Sequence, residues 1–87
     1  MSLEKRISTT AMRFNDKLTK DKINQVLDYS DNHGEYGLAV EMLCDFLIGE
    51  DISLVTGDFE DLQDLAAHVG VSLHSGVVKY LKSLVES

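Results

Sequence analysis

The segment of residues 36–48 constrains the fold more than any other part of the chain, because it is apolar on most of its helical faces. Its apolar residues are Leu38, Val40, Met42, Leu43, Phe46, Leu47 and Ile48. A helix that is apolar nearly all round is buried by other elements on most sides. With Glu41 and Asp45 inside it, the segment is too short and too charged to span a bilayer. We therefore expect it to be the central helix of a bundle in a soluble protein.

Apolar residues at helical spacing predict two helices before this central segment. The first is expected over residues 3–15, with Ser2 as its N-cap. The residues at helical spacing that predict its buried side are Leu3, Ile7, Ala11, Phe14 and Leu18. The second is expected to begin after Thr19, another residue that caps helices well, and to end at His33 and Gly34. Glycine is the residue that most readily adopts the left-handed conformation past a helix end.

Two further helices are predicted after the central segment, over residues 58–69 and 75–85. The turn of residues 50–57 is expected to bury Ile52 and Leu54. Proline is absent from the 87 residues, and the connections are short, as in bundles of antiparallel helices. The sequence thus predicts an all-α fold, a compact single-domain bundle of about five short helices that comprises residues 1–87.

Cys44 is the only cysteine, so the fold is expected to have no intramolecular disulfide. Small secreted domains usually depend on disulfides, and the N-terminal residues lack the apolar stretch of a secretory signal. We therefore expect a cytoplasmic protein. The apolar neighbours of Cys44 and the lack of an adjacent cation predict an inert core thiol.

Charge is distributed very unevenly along the chain, whose net charge is −7. Residues 1–30 have a balance of +2, and residues 72–87 have a balance of +1. The intervening segment, residues 31–71, has no Lys or Arg and ten acids: Asp31, Glu35, Glu41, Asp45, Glu50, Asp51, Asp58, Glu60, Asp61 and Asp64. Such a segment repels itself unless its charges are solvated or meet a cationic surface.

The acidic segment favours a basic protein as the partner of this chain. Nucleic acid and anionic membranes are both disfavoured, because neither would approach a surface of the same charge. A nuclease, whose own surface is built to bind phosphates, fits better, since complementary potentials speed association and reject wrong partners. The alternative is that the acids only keep a small domain soluble.

Two groups of side chains suggest metal binding only weakly. Asp64 and His68 lie four residues apart on one helical face, but two ligands are too few for a tight site, and a solvated ion pair is the favoured interpretation. The cluster of Asp58, Glu60, Asp61 and Asp64 resembles a calcium site in composition but lacks the order of a calcium-binding loop. No metal or other cofactor is therefore expected.

Glu41 and Asp45 lie four residues apart on the polar stripe of the central helix. Paired carboxylates can act in acid–base catalysis, but no nucleophile motif, phosphate-binding loop or dinucleotide motif accompanies them. We therefore expect a protein that is not an enzyme. Glu41 is expected to accept hydrogen bonds from backbone N–H groups of the following turn, and Asp45 is expected to face a partner.

Residues 33–47, with the sequence HGEYGLAVEMLCDFL, resemble the central segment of MafI-type immunity proteins. The central helix of that family has the form G-E-x-x-x-A-x-E-x-L-C-x-x-L, which this chain matches from Gly34 to Leu47. The resemblance continues through residues 51–54 and an acidic helix that ends at Gly70. It covers roughly residues 23–73 and does not include the first or the last helix.

Such a resemblance implies a protein that protects its own cell by binding the C-terminal domain of a secreted or contact-dependent toxin. Toxins paired with related immunity proteins include ribonucleases of the EndoU type, so a basic nuclease domain is the implied partner. The motif itself is expected to report the core and the helix caps. The candidate contacts, from the charge pattern, are Asp45, Glu50, Asp51, Asp58, Asp61 and Asp64, with Tyr36 as an aromatic anchor. Their carboxylates would take the place of substrate phosphates.

Two alternatives remain open at this point. One is an acyl-carrier-like protein with Ser53 modified by phosphopantetheine, because residues 51–54, Asp-Ile-Ser-Leu, resemble a carrier motif with an extra Ile inserted. The other is a regulatory adaptor whose partner is not a toxin.

Overall fold

Five helices follow one another along the chain. The computed structural model describes residues 2–85, in which the helices are α1 (Leu3–Met12), α2 (Lys20–Asp31), α3 (Tyr36–Gly49), α4 (Thr56–His68) and α5 (Ser75–Ser83). Those residues include no strand, and the predicted all-α single domain with five helices is confirmed. Residues 1, 86 and 87 of the expected domain lie outside the described residues.

Side chains cap the first two helices as expected. Ser2 Oγ accepts a hydrogen bond of 3.1 Å from the backbone N–H of Lys5. Thr19 Oγ1 accepts one of 3.3 Å from the backbone N–H of Lys22. Beyond the end of α2, Gly34 has a φ of 64°, the left-handed conformation that glycine adopts without strain. The chain can therefore reverse direction between α2 and α3.

Several helix limits differ from the sequence prediction. α1 ends at Met12 rather than at residue 15, and residues 13–18 form turns that still bury Phe14 and Leu18. The polar side chains of this stretch compete with helical hydrogen bonding, and burial alone does not require a helix. α4 begins two residues earlier than predicted, at Thr56, and α5 ends two residues earlier, at Ser83.

α3 is the central helix, as its apolar composition predicted, and it packs against each of the other four helices. Its inward residues are Ala39, Val40, Leu43, Cys44 and Leu47, all 0% exposed. The radius of gyration is 11.7 Å, close to the roughly 12 Å expected for a compact domain of this length. One exposed face of α3 nevertheless remains open, and the candidate site lies there.

The connection between α3 and α4 is fixed to the end of α5. Ile52 and Leu54 are buried, as predicted, and the backbone N–H of Leu54 donates a hydrogen bond of 2.9 Å to the carbonyl of Leu84. Leu54 and Val85 form an isolated parallel bridge. Within residues 2–85, no helix has the length and apolar character needed to cross a membrane.

Candidate functional site: an acidic face on α3

Three aspartates of α4 pair with Arg6 of α1 and with Arg13, the residue that follows α1. Arg6 Nη2 lies 3.2 Å from Asp61 Oδ1 and 2.7 Å from Asp64 Oδ2. Arg13 Nη1 lies 3.1 Å from Asp58 Oδ1, and Arg13 Nη2 also pairs with Asp61. We call this network of five residues the α1–α4 clasp. Because its arginines and aspartates neutralise one another within the fold, the clasp joins α1 to α4.

Asp61 lies at the centre of the clasp. Thr10 Oγ1, from the buried side of α1, donates it a hydrogen bond of 3.0 Å. Burial is the largest influence on Asp61 and would raise its pKa. The hydrogen bonds from Thr10 and Arg6 and the charges of Arg13 and Arg6 together outweigh burial, and they hold the pKa of Asp61 below its ordinary value of 3.8. Asp61 is therefore an ionised structural group.

The acidic segment contains no Lys or Arg of its own, but the N-terminal part of the chain brings cations to it in the folded structure. Besides the clasp, Lys22 of α2 pairs with Glu50. The candidate contacts Glu50, Asp58, Asp61 and Asp64 thus already have intramolecular partners. Their contact with a partner protein remains a prediction, and this pairing argues against it.

Two other candidate contacts also bond within the chain. The hydroxyl of Tyr36 donates a hydrogen bond of 2.7 Å to Glu4 Oε1, and that bond, with smaller contributions from desolvation and from the charges of Glu4 and Asp31, raises the pKa of Tyr36. Tyr80 donates a long hydrogen bond of 3.4 Å to Asp51. Of the seven candidates, Asp45 is the one with no such partner among the described residues.

Sequence analysis missed the clasp, although a signal for it exists. Arg6, Thr10 and Arg13 recur at intervals of four and three residues, which places them on one side of α1 and of the residue that follows it. Asp58 and Asp61 are likewise three residues apart on α4. Matching a cationic helix face to an acidic one would have predicted that α1 and α4 are neighbours.

The acidic face of α3 consists of Glu35, Leu38, Glu41 and Asp45, all of them exposed. Their spacing of three and four residues places them along one side of the helix. Among residues 2–85, no Lys or Arg side chain lies within ion-pair distance of the three acids. Leu38 is 43% exposed between them. This face thus combines uncompensated negative charge with an apolar side chain.

The structural role expected for Glu41 is wrong. Within the described chain, its carboxylate accepts no hydrogen bond from the turn that follows α3, and the side chain is exposed. The turn is satisfied by backbone bonds instead: the N–H of Ile52 donates to the carbonyl of Leu47 at 3.0 Å. Glu41 therefore belongs to the surface, beside Asp45.

A groove of about 170 Å³ adjoins the acidic face. Its lining comprises Glu41, Cys44 and Asp45 from α3, Ser72, Leu73 and His74 from the α4–α5 connection, and Val77 from α5. The carboxylates thus border a wall that is partly apolar. The groove lies where α3 packs against α5.

His74 and Cys44 contribute little chemistry to this groove. His74 is the N-cap of α5, and its Nδ1 accepts a hydrogen bond of 3.1 Å from the backbone N–H of Gly76, so Nδ1 carries no proton in this arrangement. Burial, followed by the charges of Asp45 and Glu41, raises the pKa of Cys44 to about 12. The thiol is therefore protonated and unreactive at neutral pH.

Neither the metal pair nor the carrier serine forms a recognisable site. His68 Nδ1 lies 3.0 Å from the backbone carbonyl of Asp64 and 3.7 Å from its carboxylate, and both side chains are exposed. Residues 2–85 contain no group of three or more His, Cys, Asp or Glu side chains placed to hold a metal ion. Ser53 is exposed, but it lies three residues before Thr56, where α4 begins, and so it is not at a helix start.

Comparisons with family models, curated proteins and solved structures gave no match to this chain. The fold and the site define the chain as a small helical protein with one acidic, partly apolar surface. The MafI-type resemblance depends on residues 23–73 of the sequence alone.

Proposed function

We propose that this chain is an immunity protein that binds and neutralises the C-terminal toxin domain of a cognate secreted or contact-dependent toxin. The partner surface is basic, as in a nuclease that binds phosphates, and the acidic face of α3 is the surface that contacts it. The observation that carries the proposal is that, within residues 2–85, Glu35, Glu41 and Asp45 lack cationic partners, whereas the three aspartates of α4 have them.

Electrostatics support this choice of surface. Acids that are already paired, such as Asp58 and Asp61, contribute little to the attraction of a second cation. Unpaired acids on one helix face provide a local negative potential, which raises the association rate with a basic protein. Leu38 adds an apolar contact at the centre of the same face, where interface residues contribute most to affinity.

The family motif is compatible with this division of roles. Ala39, Leu43, Cys44 and Leu47 of the motif are fully buried, so those positions support the core. The two motif acids, Glu35 and Glu41, are both exposed. A framework that resembles the MafI-type family would thus place both motif acids on the proposed contact surface.

Co-expression with a toxin domain encoded by a gene adjacent to that of this chain would test the proposal. We expect the chain to restore growth, and we expect the double variant Glu41→Lys with Asp45→Lys to abolish protection. The matched control is Asp31→Lys with Glu60→Lys, which makes the same change in net charge at exposed acids outside the acidic face. Protection that survives the first variant as well as the control would exclude α3 as the contact surface.

Purified proteins provide a second measurement. The association rate of the chain with the toxin domain should fall steeply as ionic strength rises, because salt screens the attraction. A basic partner that binds the chain but is no toxin would instead support the regulatory-adaptor alternative. Failure of the chain to restore growth, with both proteins folded and expressed, would reject the immunity function.

A further inference from the structure

The groove beside the acidic face has a composition suited to one kind of side chain. Glu41 and Asp45 lie on its α3 side, one helical turn apart. Leu73 of the α4–α5 connection and Val77 of α5 supply apolar surface to the same groove. A ligand that complements both features has a cationic end and an apolar stem.

The volume of the groove further limits the kinds of ligand that it can bind. At about 170 Å³, it is smaller than the roughly 300–1,000 Å³ of sites that enclose small molecules and cofactors. One long side chain from a partner surface is a better match than a free ligand. The negative charge excludes an acidic side chain, and no cation of residues 2–85 pairs with either carboxylate.

Arginine fits these features better than lysine. Its methylene stem packs on apolar surface while its charged end stays at the edge. Its guanidinium has five N–H donors in a planar array and can be shared between two carboxylates, whereas the lysine ammonium is a compact and more strongly hydrated charge. Arginine is also enriched at the energetically dominant positions of protein interfaces.

We propose that the groove between α3 and α5 binds one arginine side chain of the partner protein, with the guanidinium at Glu41 and Asp45 and the stem against Leu73 and Val77. The assignment deepens the proposed function, and it rests on that function in taking the occupant from a basic protein. The groove would then set specificity, since a partner without an arginine at this position would leave both carboxylates unpaired.

A peptide titration of the full chain tests the assignment without the toxin. The probe is acetyl-Gly-Arg-Gly-amide at low salt, followed through the backbone amide signals in ¹⁵N-resolved NMR spectra. We expect saturable changes concentrated at residues 41–45 and 72–77. The peptide with citrulline in place of arginine, which has nearly the same shape but no charge, should produce no such changes, and the lysine peptide should bind more weakly.

Two double variants complete the experiment. The double variant Glu41→Gln with Asp45→Asn should lower the affinity for the arginine peptide by about tenfold or more, because both charged acceptors are lost. Asp31→Asn with Glu60→Gln removes the same net charge elsewhere and should leave binding unchanged. Circular dichroism should show that both variants keep their helices, since none of the four carboxylates makes an ion pair in residues 2–85.

Several results would overturn the arginine site. One is a set of NMR signal changes spread evenly over all exposed acids. Another is an affinity for the citrulline or lysine peptide equal to that for the arginine peptide. A third is an unchanged affinity for the arginine peptide in the double variant of Glu41 and Asp45. The outcome is separable from that of the growth experiment. Growth rescue without peptide binding in the groove would reject the arginine site alone, and peptide binding there without growth rescue would reject the immunity function alone.

Discussion

The side-chain hydroxyl of Thr10 donates a hydrogen bond of 3.0 Å to Asp61 and so joins α1 to α4 at a site where Thr10 is only 2% exposed. Arg6 and Arg13 flank this bond and pair with the same carboxylate. Asp61, which the sequence alone suggests to be an exposed surface acid, thus accepts hydrogen bonds from three side chains of α1 and the residue that follows it.

We expect Thr10→Val to lower the free energy of unfolding by about 1–2 kcal/mol, because the valine has nearly the same shape but leaves a partly buried, charged acceptor short of one donor. Thr9→Val is the matched control, since the exposed hydroxyl of Thr9 bonds only to the carbonyl of Lys5 within α1. Urea unfolding followed by circular dichroism measures both changes. Equal losses in the two variants would show that the bond to Asp61 adds no specific stability.

The clasp also predicts a pH dependence of stability. The pKa of Asp61 is lower in the folded chain than its ordinary value of 3.8, so the unfolded chain binds more protons between the two values. The stabilisation by the charge of Asp61 is therefore complete above that ordinary value and is lost as the pH falls through the folded pKa. The difference in unfolding free energy between the natural chain and Asp61→Asn should be constant near neutral pH and shrink below about pH 4. A difference that grows on acidification would contradict this assignment.

Gly37 provides a test of packing near the start of α3. A Cβ at this position would lie 2.7 Å from Cγ2 of Val71, and the branched valine side chain has little freedom to move away. We expect Gly37→Ala to destabilise the fold by about 1–2 kcal/mol, despite the better helix propensity of alanine. Gly57→Ala in α4 is the control, because its Cβ would meet no atom within 4 Å, and it should stabilise by about 0.5 kcal/mol. The melting temperatures of the two variants should therefore shift in opposite directions from that of the natural chain.

Cys44 should react slowly with thiol reagents in the folded chain. Its pKa of about 12, against an ordinary 9.0, lowers the thiolate fraction at pH 8 by about three orders of magnitude, and burial hinders the reagent further. The rate of reaction of Cys44 can be measured in buffer and in urea with a disulfide reagent that releases a coloured thiolate. Glutathione is the reference for the effect of urea on the reagent itself. Equal rates for Cys44 in the two solutions would mean that the thiol is exposed in the native protein.

The sequence predicted the helices and the core well, because both depend on local patterns. The apolar run of α3 required a central position, and the spacing of Ile7 and Ala11 identified the buried side of α1. The end of α1 was placed three residues too late, since Phe14 continues the apolar spacing although the backbone has already left the helix. Periodicity reports which side chains are buried, and it does not report which backbone conformation buries them.

The candidate contacts were predicted less well, for a physical reason. Charge pairing between Arg13 and Asp61 joins residues far apart in the chain, so a count along the sequence treats them as separate groups. Asp45, by contrast, was assigned to a partner surface because α3 is apolar on its other sides, and the structure leaves it exposed. Its contact with a partner remains a prediction that the charge-reversal variants address.

The open side of α3 has a consequence for how such a protein can diversify. Leu38, Glu41 and Asp45 contribute nothing to the buried core, and exchanges at exposed positions of this kind usually alter stability by less than about 0.5 kcal/mol. If this side is the contact surface that we propose, a few codon changes in one helix would alter which partner binds while the folding of the chain stays intact.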